Sequence, residues 1–92
     1  MSDSFPETVV IGDAVLYQEL EDEVVLLNMS NQQYYGLNDV GAEMWKCLME
    51  SGNLAAAGDR LSTSYEVEPT VIRADLEGLV RDLLAAGLLK AA

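Results

Sequence analysis

The stretch that most constrains the fold is 24–45, where two strand-like segments precede a helix signal. Residues 24–28 form a continuous Val-Val-Leu-Leu run that ends in Asn, and 33–37 follow with two adjacent tyrosines. β-branched and aromatic residues favour strands, and a short continuous apolar run is typical of a central strand covered on both faces. We therefore predict strands over 23–28 and 33–37, joined by a polar loop.

A third apolar segment extends this pattern into a sheet. Residues 14–19 read Ala-Val-Leu-Tyr-Gln-Glu, which is typical of a strand, and Glu21 and Asp22 can form the following turn. Strands that follow one another closely usually pair with their neighbours in sequence. The simplest arrangement is a meander in which the strand over 33–37 lies at an edge.

Three helices are predicted after the sheet, each from a local start signal. Asn38 can accept hydrogen bonds from the free amides of the first helix, which ends at Gly52. Asn53 can cap a second helix in the same way. Pro69 suits the first position of the third helix, where its missing N–H is not needed, and Gly87 ends that helix.

Three strands followed by three helices indicate an α+β fold, and the same elements describe a winged helix-turn-helix-like domain with a three-stranded antiparallel sheet. We expect 1–8 to be a flexible N-terminal arm and 9–92 to be a single domain, with 88–89 folding back onto the core. Ninety-two residues suit one small domain.

The charge balance restricts the class of partner. Sixteen acidic residues against five basic ones give a net charge of −11, and the bases are scattered: Lys46, Arg60, Arg73, Arg81 and Lys90. Nucleic-acid binding needs clustered basic side chains that neutralise phosphates. We therefore expect no nucleic-acid and no membrane partner, while a neutral or basic polypeptide is a plausible one.

The sequence shows no set of residues for catalysis or metal binding. There is no histidine and a single cysteine, Cys47, which lies in the apolar pattern of the first helix and is predicted to be a buried thiol. No phosphate loop or paired-carboxylate spacing occurs. We expect a non-enzyme without a cofactor or metal. No apolar run approaches the ~20 residues of a membrane span and the N-terminus is not a secretory signal, so we expect a cytoplasmic protein.

The strand at the edge is the first candidate binding feature. An edge strand exposes unpaired N–H and C=O groups, and Gln33 to Leu37 contain no Lys, Pro or acid that would discourage pairing. Gly36 removes side-chain bulk where another backbone could approach. Alternation places Tyr35 and Leu37 on one face and Tyr34, exposed, on the other. The alternative is a short, solvated edge with both tyrosines packed against helices.

The third helix is the second candidate feature. Its apolar stripe, which includes Ile72, Leu76, Leu79 and Leu83, is either core or one wall of a groove beside the strand edge. In such a groove an added strand would pair with the edge and place alternate side chains in apolar pockets. Asp75, which shares a face with Asp82, could bind a peptide amide or hydroxyl, whereas Arg73, Glu77 and Arg81 are spaced as an exposed ion-paired face.

Several short motifs in this order resemble the PqqD-like family, which recognises leader peptides during the biosynthesis of ribosomally made, modified peptides. The resemblance covers roughly 14–90. Its motifs are Leu26-Leu27-Asn28, Tyr35-Gly36-Leu37-Asn38, Val40-Gly41-Ala42, Trp45, Glu68-Pro69, and Leu83 with Gly87-Leu88-Leu89.

The resemblance implies a non-catalytic module to which a leader adds as an antiparallel strand, resting against the third helix. The binding residues carried over by position are Gln33, Tyr34, Tyr35, Gly36, Leu37, Ile72, Asp75, Leu76, Leu79 and Leu83. The stretch 37–42 is similar to the standalone leader-binding proteins of lasso-peptide clusters. This implies a protein that presents the precursor to a separately encoded leader peptidase or other modifying enzyme. We expect it to be a monomer.

Two alternatives remain open. The first is an accessory role in pyrroloquinoline-quinone biosynthesis, in which the precursor is delivered to a radical enzyme. The second is a winged-helix transcription regulator, and the charge argues against it, because the third helix carries two arginines against three acids: Asp75, Glu77 and Asp82.

Overall fold

Five strands and three helices follow one another in the part of the chain, 6–92, that the computed structural model describes. Their order is β1 (Val9–Ile11), β2 (Val15–Glu19), β3 (Val24–Asn28), β4 (Gln33–Leu37), α1 (Asp39–Ser51), α2 (Leu54–Tyr65), α3 (Pro69–Ala85) and β5 (Leu89–Ala91). The predicted α+β class, with a three-stranded antiparallel sheet followed by three helices, is confirmed.

The main sheet is the predicted meander, with strand order β2-β3-β4 and both pairings antiparallel. Its register places Leu27 opposite Leu16 on one side and opposite Tyr34 on the other. The bounds of β4 are those predicted, and β2 and β3 each begin one residue later than predicted. β4 lies at an edge of this sheet, as the hairpin connections required.

A second, two-stranded sheet was not predicted. β1 pairs antiparallel with β5, with Val9 opposite Ala91 and Ile11 opposite Leu89. Of the predicted flexible arm, 1–5 lie outside the described residues. The carbonyl oxygen of Glu7 accepts a hydrogen bond from the amide of Leu54 at 2.8 Å, and that of Thr8 accepts one from Ala92 at 3.0 Å. Pairing with the folded chain therefore begins before 9, the predicted start of the domain.

The helix ends agree with the predicted signals. The side-chain oxygen of Asn38 accepts from the amide of Gly41 at 2.9 Å, and that of Asn53 accepts from Ala56 at 2.9 Å. Pro69 is the first residue of α3. Local capping bonds of this kind satisfy amides that have no partner within the helix.

The C-terminal end of α3 is a Schellman motif. Gly87 adopts the left-handed conformation with φ of 74°. The amide of Leu88 donates to the carbonyl of Leu83 at 2.9 Å, and the amide of Gly87 donates to that of Leu84 at 3.1 Å. The motif turns the chain so that Leu88 and Leu89 are 1% and 3% exposed, which confirms that they fold back onto the core.

The core lies on one face of the main sheet only. Val24, Leu26 and Leu37 point into it, where they join Trp45 and Leu48 of α1 in one cluster of buried residues. The opposite face of β3 carries Val25 and Leu27, which are only half-buried. The expectation that β3 is covered on both faces was wrong, because the helices pack against one side of the sheet.

Candidate functional site

The free edge of β4 is the first wall of the candidate site. Within the described residues β4 pairs only with β3, so its other side has no strand partner. Tyr34 is 75% exposed, and a Cβ added at Gly36 would meet no atom within 4 Å. Tyr35 is half-buried and Leu37 is buried, which confirms the predicted alternation. The exposed residue Gln33 begins the strand. The edge is open to another backbone.

α3 is the second wall, and it reaches the surface through fewer residues than predicted. Ile72, Leu76 and Leu83 are 5%, 0% and 0% exposed, so their side chains belong to the core and not to the surface of a pocket. A continuous stripe on an amphipathic helix is first of all the face that packs against the protein. Leu79 is half-buried against the core and Asp75 is exposed. These two are the predicted α3 residues that an added peptide could contact directly.

A contact between the two walls shows how close they lie. The hydroxyl of Tyr35 on β4 lies 3.5 Å from Oδ2 of Asp82 on α3, at the long limit for a hydrogen bond. Burial raises the pKa of the Tyr35 hydroxyl, and the negative charge of Asp82 raises it further. Asp82 was not among the predicted binding residues, although its seven-residue distance from Asp75 placed both on one side of the helix.

The opposite side of α3 is occupied by ion pairs. Arg73 contacts Glu77 at 2.7 Å and Glu7 at 2.5 Å, so the predicted pairing of Arg73 with Glu77 is confirmed. An α-helix turns by about 100° per residue, which places Arg73 roughly opposite Asp82. A hollow of about 420 Å³ lies beside this side of the helix, between α2 and α3. This hollow is therefore separate from the β4 edge.

The solvent-facing side of the main sheet is a second notable surface, which we call the outer sheet face. It is formed by residues that share one face in the strand register, none of them charged: Leu16, Gln18, Val25, Leu27, Tyr34 and Gly36. Leu16 is 57% exposed and Tyr34 is 75% exposed. A hollow of about 420 Å³ lies on this face, next to a smaller one that includes Met29.

Sequence reasoning missed the outer sheet face as a surface. The available signal was the continuous apolar run of β3 next to Leu16, which we interpreted as burial on both faces. An uncharged apolar surface stands out in a protein with a net charge of −11. Exposed apolar patches of this kind usually mark sites of interaction.

Neither a metal site nor a membrane span is found in the described part of the chain. No group of three or more Cys, Asp or Glu side chains within 6–92 is arranged to hold a metal ion. No helix there is both long enough and apolar enough to cross a bilayer.

Comparisons with known proteins agree on the fold and the family. The family model described as coenzyme PQQ synthesis protein D (PqqD) matches 23–89. A solved structure described as TbiB1 in complex with the TbiA(beta) leader peptide is 33% identical, with a TM-score of 0.83 over 89% of this chain and 95% of that chain. Another, described as lasso peptide synthetase B1 complexed with the leader peptide, is 25% identical, with a TM-score of 0.81 over 90% of this chain and 98% of that chain. No curated protein matches the sequence.

Proposed function

This chain belongs to the PqqD family, as its motifs indicated, and on that premise we propose that it binds the leader segment of a ribosomally made precursor peptide by adding it as a strand to β4. The observation that carries the proposal is the open edge of β4 beside α3. Two relatives with the same fold, at 33% and 25% identity, are described as complexes with leader peptides.

In strand addition the backbone and the side chains make different contributions to binding. The main chain of the leader pairs with the unpaired groups of β4, which supplies affinity for many sequences. Successive side chains of a strand point to opposite faces. Those on the helix side would lie near Tyr35 and Leu79, and those on the other side would lie near Tyr34. The contacts on the helix side would therefore determine which leader sequences bind.

The pathway that best fits is lasso-peptide biosynthesis, since both relatives belong to leader complexes and one is a lasso peptide synthetase component. The protein itself would carry out no chemistry. By holding the leader it would raise the effective concentration of the precursor at a separately encoded leader peptidase. A second candidate, supported by the description of the matching family as coenzyme PQQ synthesis protein D, is delivery of a precursor to a radical enzyme.

We propose that the modifying enzyme docks on the outer sheet face. A leader strand added to β4 would extend this face beyond Tyr34, so the face and the bound leader would form one continuous surface. An enzyme that covers Leu16 and Tyr34 would bury exposed apolar side chains and would lie beside the leader. The same contact would recruit the enzyme and bring the precursor to it.

The leader-binding proposal is tested by amide NMR with the leader of any short precursor peptide that is encoded beside the gene. We expect shifts confined to β4 and to the flank of α3 around Leu79, saturating with one peptide per protein. A scrambled peptide of the same composition is the control. Shifts centred instead on the hollow between α2 and α3 would show that the leader does not bind at the β4 edge.

The enzyme-docking proposal is tested by a substitution far from β4. Leu16→Lys should slow leader removal by the leader peptidase of the pathway while leader affinity stays unchanged, because Leu16 lies on β2 at the other edge of the sheet. Val10→Lys, which places the same charge at a 41% exposed position of β1, should leave both unchanged. Equal processing rates for the two variants would remove the outer sheet face from the proposal.

A further inference from the structure

The flank of α3 that faces β4 is acidic. Asp75, Leu79 and Asp82 succeed one another along it, since positions seven apart differ by only about 20° around an α-helix. Asp75 makes no hydrogen bond or ion pair with any residue in the described part of the chain, and no basic residue occupies this flank. The groove beside β4 therefore has two carboxylates on its helix side.

Three basic side chains form ion pairs away from this flank. Arg60 pairs with Glu50 at 2.6 Å, and Lys90 pairs with Asp13 at 2.7 Å. Arg73 pairs with its two acids on the far side of α3. None of these three cations forms an ion pair with Asp75 or Asp82.

Tyr35 shows where a ligand side chain would meet this charge. A residue of an added strand directly opposite Tyr35 would lie on the same face, with Cβ atoms about 5 Å apart. The Tyr35 hydroxyl already reaches Asp82. A long cationic side chain opposite Tyr35 would pass along the aromatic ring and end near the same carboxylate, which combines a cation–π contact with an ion pair.

The existing contact is weak enough to be exchanged. At 3.5 Å, with Asp82 exposed, the bond from Tyr35 is long, whereas a hydrogen bond between an ammonium or guanidinium group and a carboxylate is shorter and stronger. Asp82 could bind the cation of a ligand without moving out of the groove.

We propose that the leader carries a Lys or Arg on its helix-facing side and that Asp82, beside Tyr35, is the specificity-determining residue that binds it, with Asp75 available for a second cation. This inference rests on the proposed strand addition and names the chemistry that the groove selects. The leader is then a basic or locally basic peptide, matched to the acidic flank of α3.

The test is a double-mutant cycle, measured by fluorescence polarisation with the labelled leader of any short precursor peptide that is encoded beside the gene. On the protein, Asp82→Asn and Asp75→Asn keep the side-chain shape and remove the charge. Asp59→Asn, at an exposed position of α2 beside the other hollow, is the matched control. On the peptide, each Lys or Arg is replaced by Gln in turn.

We expect Asp82→Asn to weaken binding roughly three- to tenfold and to reduce its dependence on salt, as is typical of a partly exposed charge pair. One of the Gln-substituted peptides should bind the wild-type protein more weakly by the same factor. Its affinity for the Asp82→Asn variant should be little lower than that of the unsubstituted leader. Asp59→Asn should bind as the wild type does.

Two results would overturn the inference and leave strand addition intact: tight binding of a leader that has no Lys or Arg, or equal affinities for Asp82→Asn and Asp59→Asn. Failure of the wild-type protein to bind the leader at all would instead remove the proposed function, and the inference with it. Circular dichroism of each variant establishes that a loss of binding is not a loss of fold.

Discussion

The side chain of Asn28 donates a hydrogen bond from Nδ2 to the carbonyl oxygen of Ala86 at 3.0 Å, between residues 58 positions apart. Asn28 ends β3 and Ala86 follows the last residue of α3. The side-chain oxygen of Asn28 accepts a hydrogen bond from the amide of Ser30 at 2.9 Å. Because Asn28 also lies opposite Gln33 at the start of β4, its hydrogen bond to Ala86 holds the end of α3 close to the edge strand.

We expect Asn28→Ala to lower the free energy of unfolding by about 1–3 kcal/mol, because it removes two hydrogen bonds of a buried side chain and leaves the Ala86 carbonyl unpaired. Urea unfolding followed by circular dichroism measures the change. Asn31→Ala is the control, since Asn31 is exposed and accepts one local bond from Gln33. If both variants were equally stable, the bond to Ala86 would have no special role.

Gly78, inside α3, and Gly87, just beyond its C-terminal end, should respond to alanine with opposite signs. At Gly87 the φ is 74°, and an added Cβ would lie 2.9 Å from Nδ2 of Asn28, so Gly87→Ala should destabilise by about 1–2 kcal/mol. Gly78 lies inside the helix with no atom within 4 Å of an added Cβ, so Gly78→Ala should stabilise by about 0.5–1 kcal/mol. Thermal unfolding of both variants tests this; a loss of stability at Gly78 would contradict it.

Leu79→Glu should weaken leader binding at least about tenfold, because it places a charge on the apolar position between the two carboxylates of the groove. Leu79 is only half-buried, so the circular-dichroism spectrum should remain that of a folded protein. Ala74→Glu adds the same charge at an exposed position on the other side of α3 and should bind normally. Wild-type affinity in the Leu79 variant would remove Leu79 from the site.

Cys47 should react slowly with thiol reagents. It is 6% exposed, which agrees with the predicted buried thiol. Burial raises the pKa of the Cys47 thiol; Arg60 acts against this effect, and the negative charges of Glu43 and Glu50 add to it. A raised pKa lowers the thiolate fraction at any given pH, and the thiolate is the reactive form.

The measurement is the rate of disulfide exchange with a chromogenic reagent at pH 8, in buffer and in urea. The reaction should be much faster in urea. An exposed cysteine introduced by Ser64→Cys in a Cys47→Ala background should react rapidly in both conditions. A fast reaction of native Cys47 would show that the core around α1 opens readily.

The parts of the fold that could be predicted depend on residues close together in the chain. Asn38 and Asn53 each cap an amide three residues ahead, and Pro69 begins a helix because its own φ and missing N–H suit that position. Alternation within β4 likewise required only that one of its side chains point inward. These interactions depend only on residues that are close together in the chain, so the sequence by itself determined them.

Other features were decided by the tertiary structure. The pairing of Val9 with Ala91 and the contact of Tyr35 with Asp82 join residues that are distant in sequence, and no local pattern specifies which distant partners meet. The same holds for the uncovered side of β3, whose apolar run cannot indicate how many of its faces will be covered. Helix packing decides which faces are covered, because the helices pack where the apolar area buried is greatest. This packing places Ile72, Leu76 and Leu83 in the core and leaves Leu79, Asp75 and Asp82 along the groove. It also leaves the outer sheet face exposed.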